Sequence, residues 1–257
     1  MQVIGQKLSA HAPPTSEVPT PLPTPAAPKA ALPLGTIEVC GFGPVQVPPD
    51  DPDPLQRIPP ALRQSALDAM DATMLASDDP RVRAAALWMG ARIRGHEVRA
   101  RIEQMARLAV ASQDPYVYAM ALEACQGLRP AEDSHCALLS RAQWVRLDPD
   151  NAVPWQALAA EAREHDERLA ESLALQLAER AARNDVHAGW LPRLVDQALG
   201  AQAAPLQRTL ALSASWSAEA VWAASHGQAA RADGQGYDLS CENVNRMQRR
   251  ASSALPR

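Results

Sequence analysis

From Pro59 onward the chain adopts a helical rhythm of apolar and polar positions. In ALRQSALDAMDATMLAS, Leu62, Ala66, Leu67, Met70, Met74 and Leu75 recur at the steps that build one helix face. Pro59-Pro60 precedes them, and proline suits a first helical turn, where its missing N–H would have no partner. A theme then repeats. Ala76-Ser77-Asp78-Asp79-Pro80 leads into RVRAAALWMGARI, Ala111-Ser112-Gln113-Asp114-Pro115 into YVYAMALEACQGL, and Arg146-Leu147-Asp148-Pro149-Asp150-Asn151 into AVPWQALAAEAR. Pro80, Pro115 and Pro149 lie 35 and 34 residues apart. Aspartate at these junctions suits helix starts, where its side chain accepts from free N–H groups of the first turn. A weaker fourth copy begins at Arg183-Asn184-Asp185 and leads into VHAGWLPRLVDQAL. Second helices are predicted between the junctions, from His96, Asp133 and Asp166. Two helices per period of this length predict a stack of antiparallel helical hairpins. Residues 203–224 and 239–254 are predicted as terminal helices, with Trp190, Trp216 and Trp222 packing there and Gly227, Gly234 and Gly236 marking the loop before the last one.

The rhythm differs upstream. Ile37, Val39, Val45 and Val47 alternate with other residues around Cys40-Gly41-Phe42-Gly43-Pro44, which predicts a short extended segment or small hairpin. A lone hairpin is marginal in water, so it is expected to dock on the helices. The glycines flanking Phe42 lack the GxGxxG spacing of a phosphate loop. Before that, 15 of the 23 prolines fall within the first 60 residues, and residues 12–33 read APPTSEVPTPLPTPAAPKAALP. Proline has no N–H and a fixed φ, so this stretch predicts a disordered, extended leader of about 3.1 Å per residue. Its readings are a plain tail, a tether to an anchor or module upstream, or a proline-recognition ligand. The expected division is a leader over 1–35, a docking extended segment over 36–58 and a helical domain over 59–257.

Composition supports the all-α reading. Apolar residues make up 47% of the chain and lean on Ala and Leu, with one Phe and three Tyr. Net charge is −4 with acids interspersed among arginines, so no single-sign field suggests nucleic acid or an acidic membrane. Lys7 and Lys29 are the only lysines, and the Ala- and Arg-rich remainder has the cast of a GC-rich bacterial genome. No apolar run approaches the ~20 residues that span a bilayer. Residues 1–12 lack the apolar stretch of a secretory signal.

In the third copy, Leu147-Asp148-Pro149-Asp150-Asn151-Ala152 with Trp155, Leu158, Ala159 and Ala162 resembles the junction and first helix of a tetratricopeptide repeat (TPR). The resemblance covers about residues 77–183, is good in this copy and degenerate in the others, and implies a TPR-like α-solenoid. It places small residues where paired helices cross: Gly90, Cys125 and Ala159 in the first helices, opposed by Ile102, Ala137 and, with one deletion, Ala170. The same alignment sets Cys125 against Cys136, one residue before Ala137, and so implies α-carbons within the roughly 4.4–6.8 Å of a disulfide. The alternative is a pair of buried thiols acting as small apolar residues. Cys40 and Cys241 lie on either side of the repeats, and a bond between them would pin the leader segment to the final helix. Disulfides imply an oxidising compartment, the periplasm or cell envelope, whereas reduced cysteines would fit the cytoplasm. The absence of a signal conflicts with export unless a signal or anchor lies upstream of Met1.

No catalytic motif is present: G-x-S-x-G, H-E-x-x-H and the P-loop are all missing. No cofactor or metal site is expected, since adjacent His135-Cys136 with Cys125 makes a poor ligand set. Arg246, Arg249 and Arg250 fit the C-terminal end of a helix dipole. The leading reading is a non-catalytic protein-interaction module or scaffold of the cell envelope, binding a peptide or protein partner. The TPR resemblance implies that Val153, Gln156, Ala160 and Arg163 face that partner. An enzyme or enzyme-regulatory domain with a dispersed site is the alternative, which a pocket joining His135, His165 or His187 with carboxylates would favour. A self-associating structural element is the third reading.

Overall fold

The computed structural model describes residues 33, 35–48, 53–126, 128, 134–200, 202–227 and 238–253. The leader expected over 1–35 lies outside the described residues apart from Pro33 and Gly35. The described part is mostly helical: α1 Pro60–Leu75, α2 Pro80–Arg92, α3 Val98–Ser112, α4 Pro115–Cys125, α5 Arg141–Leu147, α6 Ala152–Glu164, α7 Arg168–Arg180, α8 Trp190–Leu199, α9 Pro205–Ser225 and α10 Cys241–Ser253. One two-stranded antiparallel hairpin precedes them, β1 Thr36–Val39 and β2 Gly43–Gln46.

The junctions work as helix starts for the expected reason. Asp79 accepts from Arg81 N at 2.8 Å, Asp114 from Tyr116 N and Val117 N at 3.0 and 3.1 Å, and Asn151 from Val153 N at 3.3 Å. Successive junctions also grip one another. Arg81 Nε donates to Asp114 at 2.8 Å, 33 residues on. Asp148 pairs with Arg183, 35 residues on, while the Asn151 side chain both donates to Asp185 O at 2.8 Å and accepts from Asp185 N at 3.0 Å. Trp88 Nε1 donates to Glu123 across 35 residues. These contacts link positions 33 to 35 residues apart.

The second helix of the second period departs from expectation. The run predicted as one helix from Asp133 is a 3-10 turn, His135–Leu138, followed by the short α5. Ser140 divides them: its backbone is extended (φ −144, ψ 149), its N–H donates to the Tyr118 hydroxyl at 3.0 Å, and its Oγ accepts from Gln143 N at 3.2 Å. A serine that finds these partners starts a helix instead of continuing one. The predicted start of α8 at Val186 moves to Trp190, because His187 and Gly189 adopt left-handed backbone (φ 59 and 79).

Close packing also differs from the simple small-residue rule. Arg101 of α3 lies over Gly90 on α2, and a Cβ at Gly90 would force the guanidinium, which Asp71 holds, to shift. Arg101 and Arg94 both face Asp71 of α1. Arg101 grips its carboxylate with two bonds of 3.2 and 2.6 Å, and Arg94 Nη2 stands 2.6 Å from Oδ1. This nearly buried triad joins α1, α3 and the end of α2. Ala170 does not oppose Ala159, because α7 turns Ala174 and Ala178 inward instead.

The C-terminal helices return to the start of the chain. α8 packs on α1 and α2 as well as on α9 and α10, and α9 packs on α1. Trp88, Tyr116, Leu191, Leu212 and Trp222 share one core that draws on both ends of the chain. Of the three tryptophans expected there, Trp222 is buried, Trp190 is half-buried and Trp216 is 44% exposed. The hairpin docks through a second small core of Val39, Val45, Ile58, Leu210 and Leu239. Gly41 (φ 80) lies so close to the Leu206 backbone that any Cβ would collide with it. Both cysteine pairs are bonded: Cys125–Cys136 with α-carbons 5.8 Å apart and Cys40–Cys241 with α-carbons 4.5 Å apart. Among the described residues no helix is long and apolar enough to cross a membrane.

Candidate functional site

The α6–α7 hairpin stands apart from the main core, to which α7 contributes no residue and α6 only Val153 and the half-buried Ala157. Its two helices pack closely on each other, α6 burying Ala159 and Ala162 and α7 burying Ala174 and Ala178. Small residues on both sides bring the backbones close and leave the larger apolar side chains at the edges. A cleft of about 400 Å³ opens there, lined by apolar Trp155, Leu158 and Leu173 and by polar Glu161, His165 and Glu167. The Trp155 indole is fixed by a 2.8 Å bond from Nε1 to Pro149 O. Beside the cleft, Leu169 is 90% exposed and Leu173 58% exposed. Water meets these side chains at a cost of about 25 cal/mol per Å² of apolar surface, which makes the patch a favourable place for another surface to cover.

The residues implied by the repeat resemblance divide. Val153 is buried in the main core and offers nothing to a partner. Gln156 and Ala160 are exposed, and Arg163 is exposed but bonded to Glu171 at 2.6 Å. The cleft uses the neighbouring stripe of α6 instead, Trp155, Leu158, Ala162 and His165. Leu169 and Leu173 were not singled out by sequence reasoning. The signal was present: the LALQL run of α7 carries more leucines than one buried face can hold.

The histidines take three different places. His135 pairs with Glu103, whose other oxygen accepts from Ser134 Oγ at 2.7 Å, a set that anchors the 3-10 turn to α3. His165 lines the cleft, with Nδ1 2.8 Å from Glu161 O. His187 is buried, its ring edge-on to Tyr116 and Trp190 at 5.2 and 5.3 Å, and neither ring nitrogen has a hydrogen-bond partner among the described residues. Burial pushes its pKa below 6.5, opposed by Asp185 and Asp148. Nearby, Glu219 of α9 accepts from Gly189 N at 2.6 Å and Leu191 N at 3.3 Å, so one helix caps the next, while burial raises its pKa.

The His187 shift sets a pH dependence. The unfolded chain takes up this proton near 6.5 and the folded chain only at lower pH, so stability is full above 6.5 and falls as pH drops below it. The slope is at most about 1.4 kcal/mol per pH unit for one proton. Glu219 acts with the opposite sign: burial raises its folded pKa above 4.5, so as pH falls the folded form takes up this proton before the unfolded form does and gains stability. Urea midpoints of wild type and His187→Gln between pH 7.5 and 5.0 separate the two. The wild type should lose more stability than the variant, and equal losses would remove His187 from the account.

Among the described residues no group of three or more His, Cys, Asp or Glu side chains is arranged to hold a metal ion. Comparison of the chain with protein-family models, with curated proteins and with solved structures finds no match.

Proposed function

We propose that the protein is a non-catalytic interaction module or scaffold, built as TPR-like helical hairpins, which works in an oxidising compartment such as the bacterial periplasm or cell envelope. The observation that carries this reading is the exposed apolar edge of α7 beside the Trp155–Leu158 cleft. The polar contacts that recur between junctions 33–35 residues apart support the repeat reading. The two cysteine pairs support the compartment.

A photo-crosslinking amino acid at position 169, introduced in the source cells, tests the interaction. The expected result is a discrete adduct that is absent when the crosslinker replaces exposed Trp216, on α9. Equal labelling at the two positions, or none at 169, would count against the α7 surface.

A second reading, an enzyme or enzyme-regulatory domain, draws on His165, Glu161 and Glu167 lining the same cleft. It is weaker because the contact that holds His165 is with a backbone oxygen, and Arg141 approaches the Glu161 carboxylate at 3.4 Å.

A further inference from the structure

We infer that the partner covering α7 is the α7 of a second copy of this chain, packed antiparallel about a two-fold axis near Leu173. The inference rests on the interaction reading of this surface and names its occupant. Along α7, Leu169, Leu173 and Leu177 fall at four-residue steps, on a stripe that flanks the inward-turned Ala174 and Ala178 about a quarter-turn round the helix. Leu169 and Leu173 are the most exposed of the three, at 90% and 58%, Leu177 is half-buried, and Leu173 also borders the cleft against α6.

A two-fold interface must be complementary to itself, and this stripe is. With the axis at Leu173, that residue meets its own copy and Leu169 of each chain meets Leu177 of the other. The same register brings Arg180, at the end of α7, toward Asp166, which lies in the turn two residues before the partner's α7. Neither Asp166 nor Arg180 forms an ion pair within the chain among the described residues, so both charges are free for this use. Antiparallel pairing also sets the positive end of each helix dipole beside the negative end of its neighbour. The adjoining cleft gives the protruding Leu169 of the partner room to enter beside Leu158 and Trp155.

The surface is small. A 13-residue helix is about 20 Å long, which keeps such an interface toward the lower end of specific ones, below about 1,200 Å² in total. The association is therefore reversible and concentration-dependent.

Sedimentation equilibrium of the full oxidised chain tests it. The average mass should climb from 27.6 kDa toward twice that value as concentration rises from about 5 to about 500 μM. Leu169→Glu, at an exposed site, should hold the mass at 27.6 kDa while leaving the far-UV circular dichroism unchanged. Arg180→Asp should weaken association by setting two acids opposite each other, and adding Asp166→Arg should restore it. A wild type that stays at 27.6 kDa throughout, or a Leu169→Glu variant that associates as well as wild type, overturns the inference. Association that Leu169→Glu abolishes, but that the charge reversals leave unchanged, overturns the antiparallel register. A 169 crosslink to a different protein, with a monomeric wild type, leaves the interaction reading standing and removes the second copy as its partner.

Discussion

Replacing Cys40 and Cys241 together by alanine should lower the unfolding free energy by about 5 kcal/mol. The bond joins residues 201 positions apart, and the chain-entropy cost of closing a loop in the unfolded state grows with the logarithm of its length. The same reasoning gives about 3 kcal/mol for Cys125–Cys136, whose partners are 11 positions apart. Domains of this kind have about 5–15 kcal/mol in all, so loss of the longer loop removes a third or more of the total. Alanine is the replacement of choice because Cys40 is buried and a serine hydroxyl there would add a separate cost. Urea denaturation of the two double variants against the oxidised wild type measures both effects. The long-loop variant should be the less stable of the two. A loss under about 1 kcal/mol would mean that the docked hairpin already constrains the unfolded chain or contributes little to the fold.

Asp71→Ala should cost about 3–5 kcal/mol, the loss expected when a buried charge network is left without its counter-ion. One carboxylate faces two guanidiniums here, and while Arg94 keeps Asp68 at 3.6 Å, removal of Asp71 leaves Arg101 without a counter-ion in a nearly closed site. Neither arginine can neutralise itself by losing its proton. Arg101→Met in the Asp71→Ala background should recover part of the loss, because it removes one uncompensated charge and leaves an apolar chain over Gly90. The double-mutant cycle, read by urea midpoints, checks this. If Asp71→Ala costs no more than a surface substitution, the triad would be a solvated contact and this account of Gly90 would fall with it.

Sequence and structure agree most closely where the chain's own punctuation is local. Asp79-Pro80 and Asp114-Pro115 carry their meaning within three residues, because aspartate caps the helix that proline begins. Ser140 shows the limit of that reasoning. Its role as a helix start depends on the Tyr118 hydroxyl, 22 residues away, which no local pattern reveals. Gly90 was legible as a small residue at a crossing, yet its neighbour is a long arginine and not the small or branched residue on the opposing helix. The return of α8 and α9 to α1 was not legible either, since a repeat period describes neighbours and carries no information on where an array meets its own beginning. The candidate site was half legible. The repeat resemblance pointed to α6, but the cleft uses the stripe one residue round from Gln156 and the exposed leucines lie on α7. Which leucines of α7 stay outside depends on how closely Ala159 and Ala162 let that helix approach.

The Cys40–Cys241 bond also sets a path for mechanical force. The two α-carbons are 4.5 Å apart, one at the tip of the docked hairpin and one at the first residue of α10. Tension applied to the chain upstream of Gly35 reaches Cys40 after a single strand and crosses the sulfur bridge into α10. A pull between that end and α10 therefore bypasses α1 to α9, and the face of α7 keeps its shape under load. Reduction of the bridge would reroute the same pull through the hairpin core and then along every helix in turn.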